Sequence, residues 1–219
     1  MMRKMQGEEF DSLVSFFDDM ARTEWLGGVH DELKKASGSW EDLSVLDVGC
    51  GTGRLLLRGV EEAKQLSGID LSSEMVKASK QNFFFINRSN KSHFSEGDAC
   101  NLSFEDNTFD LSLSTCVMFL LPEPEAGMKE MIRVTKDGGR VIMLNPSLQM
   151  DQMAAFKYAK KHQMSGFEQT SLLKWSNVST KRHRYTPEQL SEKLKGLGAK
   201  ETKHIEVLDG LAIITVAEL

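Results

Sequence analysis

The sequence predicts a doubly wound α/β domain, and three observations predict it. From residue 44 onward, short apolar runs alternate with amphipathic stretches of helical period. The first run, Val45-Leu46-Asp47-Val48, enters a turn with glycines at positions 49, 51 and 53. Two strand-like runs, 200–207 and 211–216, are joined by Leu208-Asp209-Gly210, which suits a hairpin. Repeated β-α units imply parallel strands, right-handed crossovers and helices on both faces. The terminal hairpin makes the sheet mixed, with at least one antiparallel strand.

Each element has its own local reason. Residues 8–21 carry Phe10, Leu13, Val14 and Phe17 on one helical stripe, and 25–36 repeat the pattern with Leu26, Val29 and Leu33. Residues 44–48 form the first strand, with a helix near 54–64 after the glycine turn. A strand at 67–71 precedes a helix at 73–81, for which Ser72 is the N-cap. A weak strand at 93–95 and an apolar one at 108–115 follow. The stretch 122–134 reads as a helix closed by Gly138-Gly139, with a strand at 140–144. Residues 146–185 break the alternation; rich in Met, Lys and Ser, they read as a mostly helical insertion over the sheet edge. Thr186-Pro187-Glu188-Gln189 has capping-box spacing, Leu190, Leu194 and Leu197 face inward, and Gly198 stops that helix.

Composition bounds the function. A chain of 219 residues is one domain by length and buries roughly 70% of its unfolded surface, enough to fold without disulfides or metal. The net charge of −5 argues against general affinity for a nucleic-acid backbone. Cys50, Cys100 and Cys116 make no CxxC pair and no cluster of metal-ligand spacing, so free thiols in a reducing compartment and no metal are expected. The first residues lack the apolar core of a secretory signal, and no stretch approaches the roughly 18 apolar residues of a membrane span. A cytoplasmic protein with neither membrane nor nucleic-acid partner is the expectation; composition leaves the oligomeric state open.

The chemistry concentrates at strand ends. Asp47 precedes the glycine turn, Asp70 closes the second strand about twenty residues further on, and Asp98 follows the third. In a parallel sheet all three reach one edge, where such folds bind ligands. Asp70 is placed to accept from ribose hydroxyls and Asp98 from an adenine amino group. A pyrophosphate beside Asp47 would be repelled by on the order of 4 kcal/mol at 4 Å with an effective dielectric near 20. The ammonium and sulfonium of S-adenosylmethionine are attracted instead. Taken singly, Asp47 and Asp98 read equally well as solvated turn residues; it is their joint placement that points to a ligand.

The run Val45-Leu46-Asp47-Val48-Gly49-Cys50-Gly51-Thr52-Gly53 resembles the first motif of class I S-adenosylmethionine-dependent methyltransferases of the small-molecule type. The likeness continues through Gly68-Ile69-Asp70-Leu71-Ser72-Ser73-Glu74-Met75, Gly97-Asp98-Ala99, Phe109-Asp110-Leu111 and Arg133-Val134-Thr135-Lys136-Asp137-Gly138-Gly139-Arg140. It implies a Rossmann-like, mostly parallel seven-stranded sheet with an antiparallel C-terminal strand. It also implies four regions: a helical cap (1–40), a cofactor-binding core (41–145), a substrate-region insertion (146–185) and a C-terminal helix with hairpin (186–219).

The same resemblance implies S-adenosylmethionine as cofactor and S-adenosylhomocysteine as product, with a small-molecule methyl acceptor. Asp47, Gly49, Cys50 and Gly51 would contact its methionine part and Asp70 its ribose. Leu71 and Met75 would pack near the adenine, and Asp98 with Ala99 would meet the adenine edge. Ser114 or Thr115 would approach the methionine from the fourth strand, and Phe17 and Trp25 would cover the site. Many relatives carry a histidine after that strand, where this chain reads Thr115-Cys116-Val117-Met118. No catalytic base is assigned. The candidates are His30, His93, His162, His183 and His204, with His162 and His183 leading because they lie in the insertion. The run Lys181-Arg182-His183-Arg184 reads either as a solvated face or as a grip on an anionic substrate group.

Two other functions use similar features. An NAD-dependent oxidoreductase places its third glycine one position later, where this chain has Arg54. A non-catalytic S-adenosylmethionine-binding protein would share the loop without turnover.

Overall fold

The computed structural model describes residues 2–219. Seven strands form one sheet: β1 (Ser44–Val48), β2 (Gln65–Asp70), β3 (Ser92–Glu96), β4 (Phe109–Thr115), β5 (Thr135–Pro146), β6 (Glu201–Val207) and β7 (Ala212–Glu218). Their spatial order is β3-β2-β1-β4-β5-β7-β6. The first five run parallel, while β7 pairs antiparallel with both β5 and β6. The order reverses direction at β1, so the ends of β1 and β4 flank the crevice where doubly wound sheets take ligands. The central strands are apolar because both faces are covered. Leu46, Leu111, Leu113, Ile142 and Ile214 are buried in a core that runs the length of the sheet.

Eight helices accompany the sheet among the described residues: α1 (Glu8–Asp11), α2 (Val14–Ala21), α3 (Glu24–Ser37), α4 (Ser73–Phe85), α5 (Pro124–Val134), α6 (Gln152–Lys161), α7 (Gly166–Ser179) and α8 (Pro187–Gly196). α4 lies on β2 and β3, α5 on β4 and β5, α8 on β6 and β7, and α3 on β5 and β7. Local chemistry sets their starts. The Ser72 hydroxyl accepts from the Met75 N–H at 3.1 Å. At α8 the Thr186 hydroxyl accepts from Gln189 N–H at 3.2 Å and the Gln189 amide oxygen from Thr186 N–H at 2.9 Å, the reciprocal capping box that the spacing predicts. The hairpin turns through Leu208, Asp209 and Gly210 at φ 53°, 53° and 87°.

Several expectations are corrected by tertiary packing. The stripe in 8–21 is split into α1 and α2 by a turn at Ser12 and Leu13, next to which Asp11 accepts from the Ser72 hydroxyl at 2.6 Å. The helix expected near 54–64 is only a single 3₁₀ turn, Leu56–Gly59. Its apolar spacing is real, since Leu55, Leu56, Val60 and Ala63 are buried, but Gly59 must lie flat beneath the Trp40 indole. Helix α5 is not closed by Gly138-Gly139. It passes directly into β5 at Thr135, whose hydroxyl bonds back to the Met131 carbonyl at 2.7 Å and to Ser112 at 2.6 Å. The two glycines lie inside β5, where the register against β4 shifts between Phe109 and Leu111. The 146–185 segment contains α6 and α7, but α7 packs on α2 and α3 rather than over a sheet edge. Trp25 and Trp175 stack at 5.5 Å, and the Trp25 indole N–H donates to Ser171 at 3.1 Å.

A Cβ on Gly59 would stand 1.9 Å from Cε3 of the fully buried Trp40. Gly59→Ala is therefore expected to cost about 1–3 kcal/mol, read as a lower urea midpoint at unchanged slope.

Candidate functional site

One cavity of about 180 Å³ opens at the carboxyl ends of β1, β2 and β4. Its floor is the glycine loop, held to β2 by three bonds. The N–H groups of Gly49 and Cys50 both donate to the Ile69 carbonyl at 2.8 Å. Asp70 then bridges two turns, its Oδ2 accepting from Gly51 N–H at 2.9 Å and its Oδ1 from Ser72 N–H at 3.0 Å. Gly49 sits at φ 76°, and a Cβ there would lie 2.1 Å from Val117. Only glycine allows the loop to turn this close to the residues that follow β4.

Of the eleven cofactor contacts that the resemblance implies, ten line this cavity: Asp47, Gly49, Cys50 and Gly51 on the loop, Asp70, Leu71 and Met75 beyond β2, Asp98 and Ala99 beyond β3, and Thr115 at the end of β4. Ser114 does not join them. It is buried, with its hydroxyl donating to the Val48 carbonyl at 2.9 Å, on the face opposite to that of its neighbour Thr115.

The three aspartates sit in different environments. Asp47 is 1% exposed and its Oδ1 has no hydrogen-bond partner. Burial, aided by the nearby Asp70 charge, raises its pKa to about 8. Burial also raises Asp70, against the opposing pull of the Ser72, Gly51 and Leu71 N–H groups. Asp98 is only partly buried, and against that burial the Lys4 ammonium and the Cys100 N–H hold it below the usual carboxylate range.

The N-terminal region forms the roof, with Lys4, Met5, Phe10, Phe17, Met20 and Ala21 in the wall. Asp18 on α2 fastens it down. Its carboxylate receives both Nε and Nη2 of Arg54 at 2.8 Å and the Thr52 hydroxyl at 2.6 Å. The expected cover is thus formed in part by Phe17; Trp25 instead packs against Trp175.

The histidines fall out differently from their ranking in the sequence. His162 lies on the exposed hairpin side, 3.3 Å from Asp209, and His204 is held between Ser191 and Thr215. His183 stacks near Tyr185, outside the cavity wall, and exposed His93 lies on edge strand β3. His30 alone among them lines the cavity. Burial and the neighbouring Arg58 charge lower its pKa to about 3, and its Nδ1 has no partner. The signal was present in the sequence: His30 follows Leu26 by four residues, on the inward stripe of α3. Asp18, Arg54 and Lys4 had no such signal. Desolvation pushes the Cys116 thiol up to about 12, which leaves it protonated and inert near neutrality.

The family model for a methyltransferase domain matches residues 40–195. The chain belongs to this methyltransferase family. A demethylmenaquinone methyltransferase of Desulfitobacterium hafniense is 33% identical over 63% of this chain and 57% of its own length. A sterol 4-C-methyltransferase of Caenorhabditis elegans is 26% identical over 63% of this chain and 41% of its own length. The chain thus spans about half the length of these relatives. A solved S-adenosylmethionine-dependent methyltransferase from Aquifex aeolicus superposes with a TM-score of 0.67 at 18% identity, covering 95% of this chain and 97% of that one. The class I resemblance and the seven-stranded order with its antiparallel β7 are both borne out. Among the described residues, no helix is long and apolar enough to cross a membrane.

Asp47 binds its proton more tightly in the folded than in the unfolded chain, so its contribution to stability falls as pH rises from about 4 to about 8 and is level above. Asp47→Asn removes that dependence. The stability of the variant relative to wild type is expected to rise across this window in denaturant titrations at successive pH values; a constant difference would contradict the assignment.

Proposed function

We propose that the chain is the catalytic domain of an S-adenosylmethionine-dependent methyltransferase that acts on a small molecule. The observation that carries this reading is the unpartnered, buried Asp47 carboxyl in a cavity shared with Asp70 and Asp98. An orphaned carboxyl costs about 1–3 kcal/mol, a penalty that a cationic ligand relieves and a phosphate aggravates. The relatives' names support methyl transfer, and they differ in acceptor, so the acceptor is left at the level of a small molecule.

In this reading Asp47 receives the ammonium of the methionine end, with Gly49, Cys50 and Gly51 forming the surface against it and Thr115 approaching from β4. Asp70 holds the ribose hydroxyls through the lone pairs not committed to Gly51 and Ser72. Leu71 and Met75 pack against the adenine, and Ala99 and Asp98 meet its edge, Asp98 exchanging Lys4 for the amino group. When bound, the cofactor supplies a methyl group already activated by its sulfonium. The protein's task is then alignment and exclusion of water. The roof of Phe10, Phe17 and Met20 serves that end, and no residue of the chain needs to be a strong base unless the acceptor is protonated.

Thermal-shift titration with S-adenosylhomocysteine and with NAD tests the reading: a rise in melting temperature with the former alone is expected, and a rise with NAD alone would end it. Asp70→Ala is expected to weaken S-adenosylhomocysteine binding by about 1.5–3 kcal/mol, measured by calorimetry.

A further inference from the structure

Two buried polar atoms in the cavity wall have no partner among the described residues, Asp47 Oδ1 and His30 Nδ1. The other polar groups that shape this end are engaged. Thr52 and Arg54 are taken by Asp18, and Asp70 by the Gly51 and Ser72 amides. The two orphans belong to different walls, Asp47 to the end of β1 and His30 to α3. They also sit in opposite fields. Asp70 adds negative charge on the side of Asp47. On the side of His30, Arg58 donates to the Gly27 carbonyl at 3.4 Å, one turn earlier on α3, while paired with Asp31 at 2.8 Å. A group with a cation at one end and an anion at the other matches this polarity.

We propose that His30 receives the α-carboxylate of the methionine end of the cofactor, opposite Asp47, which receives the α-ammonium. The inference rests on the methyltransferase reading and extends it to a residue outside the glycine loop and the strand ends. A neutral imidazole suffices, because its Nδ1–H donates one hydrogen bond to a carboxylate. The guanidinium of Arg58 discourages an imidazolium and strengthens the local attraction for an anion. His30 thereby selects for the amino-acid part of the ligand and not for its nucleoside.

The test separates those two parts. S-adenosylhomocysteine carries the amino acid; 5′-methylthioadenosine keeps the adenosine and the thioether but lacks it. Calorimetric titration of the full chain with each is compared for wild type, His30→Leu and His30→Gln. His30→Leu is expected to weaken S-adenosylhomocysteine on the order of tenfold to a hundredfold while 5′-methylthioadenosine stays within about twofold, and His30→Gln, which keeps an N–H donor, recovers part of the loss. Unchanged S-adenosylhomocysteine affinity overturns the proposal, and so does equal weakening of both ligands, which marks a packing effect. In wild type labelled with ¹⁵N-histidine, a shift of the His30 Nδ1 resonance with S-adenosylhomocysteine but not with 5′-methylthioadenosine is the second supporting readout, independent of any variant's folding; equal response to both overturns the assignment. If wild type binds neither ligand, the cofactor reading itself fails, whereas binding of both with no sensitivity to His30 leaves that reading intact and removes only this inference.

Discussion

The bracing of the glycine loop by the end of β2 is the interaction on which the rest of the site depends. The Ile69 carbonyl takes two successive N–H groups of the loop, and the Asp70 carboxylate takes a third while also fixing the turn into α4. Hydrogen bonds to a charged acceptor are about twice as strong as neutral ones. They hold a loop whose backbone occupies left-handed conformations at three glycines. That geometry lets Val117 close against Gly49 and brings β1, β2 and β4 to a common mouth. Remove the brace and Asp47, Cys50 and Thr115 no longer share a wall.

Electrostatics divides that mouth into unlike halves. The sheet side carries carboxyl groups whose burial disfavours ionisation, whereas after the glycine loop Arg54 in the cavity wall is tied to Asp18 of α2 and Arg58 to Asp31 of α3. Paired in this way, Arg54 leaves no bare charge in the wall. The orphaned carboxyl is the part that the fold does not compensate, consistent with the general trade of stability for function at binding sites.

The sheet and the carboxylate rim were legible because local chemistry and fold agree there. A five-residue apolar strand before Gly49, a serine cap before α4 and a capping box before α8 leave few alternatives. What escaped the sequence was set by tertiary partners. Residues 54–64 keep helical apolar spacing, yet only Leu56–Gly59 closes as a 3₁₀ turn, with the Trp40 ring seated over Gly59. Gly138-Gly139 resembles a helix stop, yet Thr135 finds Ser112 across the sheet and β5 begins at once. His30 sat in view on the stripe of α3, but nothing local could tell a cavity wall from ordinary core. Asp18 and Lys4 act across long stretches of chain, and pairings of that range leave no periodic trace.

The roof is fastened unevenly. At the loop end Asp18 grips a planar guanidinium with two oxygens and a hydroxyl besides, a junction that resists parting. At the far end it is held by Lys4 on a half-exposed Asp98, with Arg3 and Glu9 alongside in open solvent. Exposed ion pairs are individually weak and screened by salt. The Asp98 end is therefore the salt-sensitive anchorage of the roof, and the Asp18 end the firmer one.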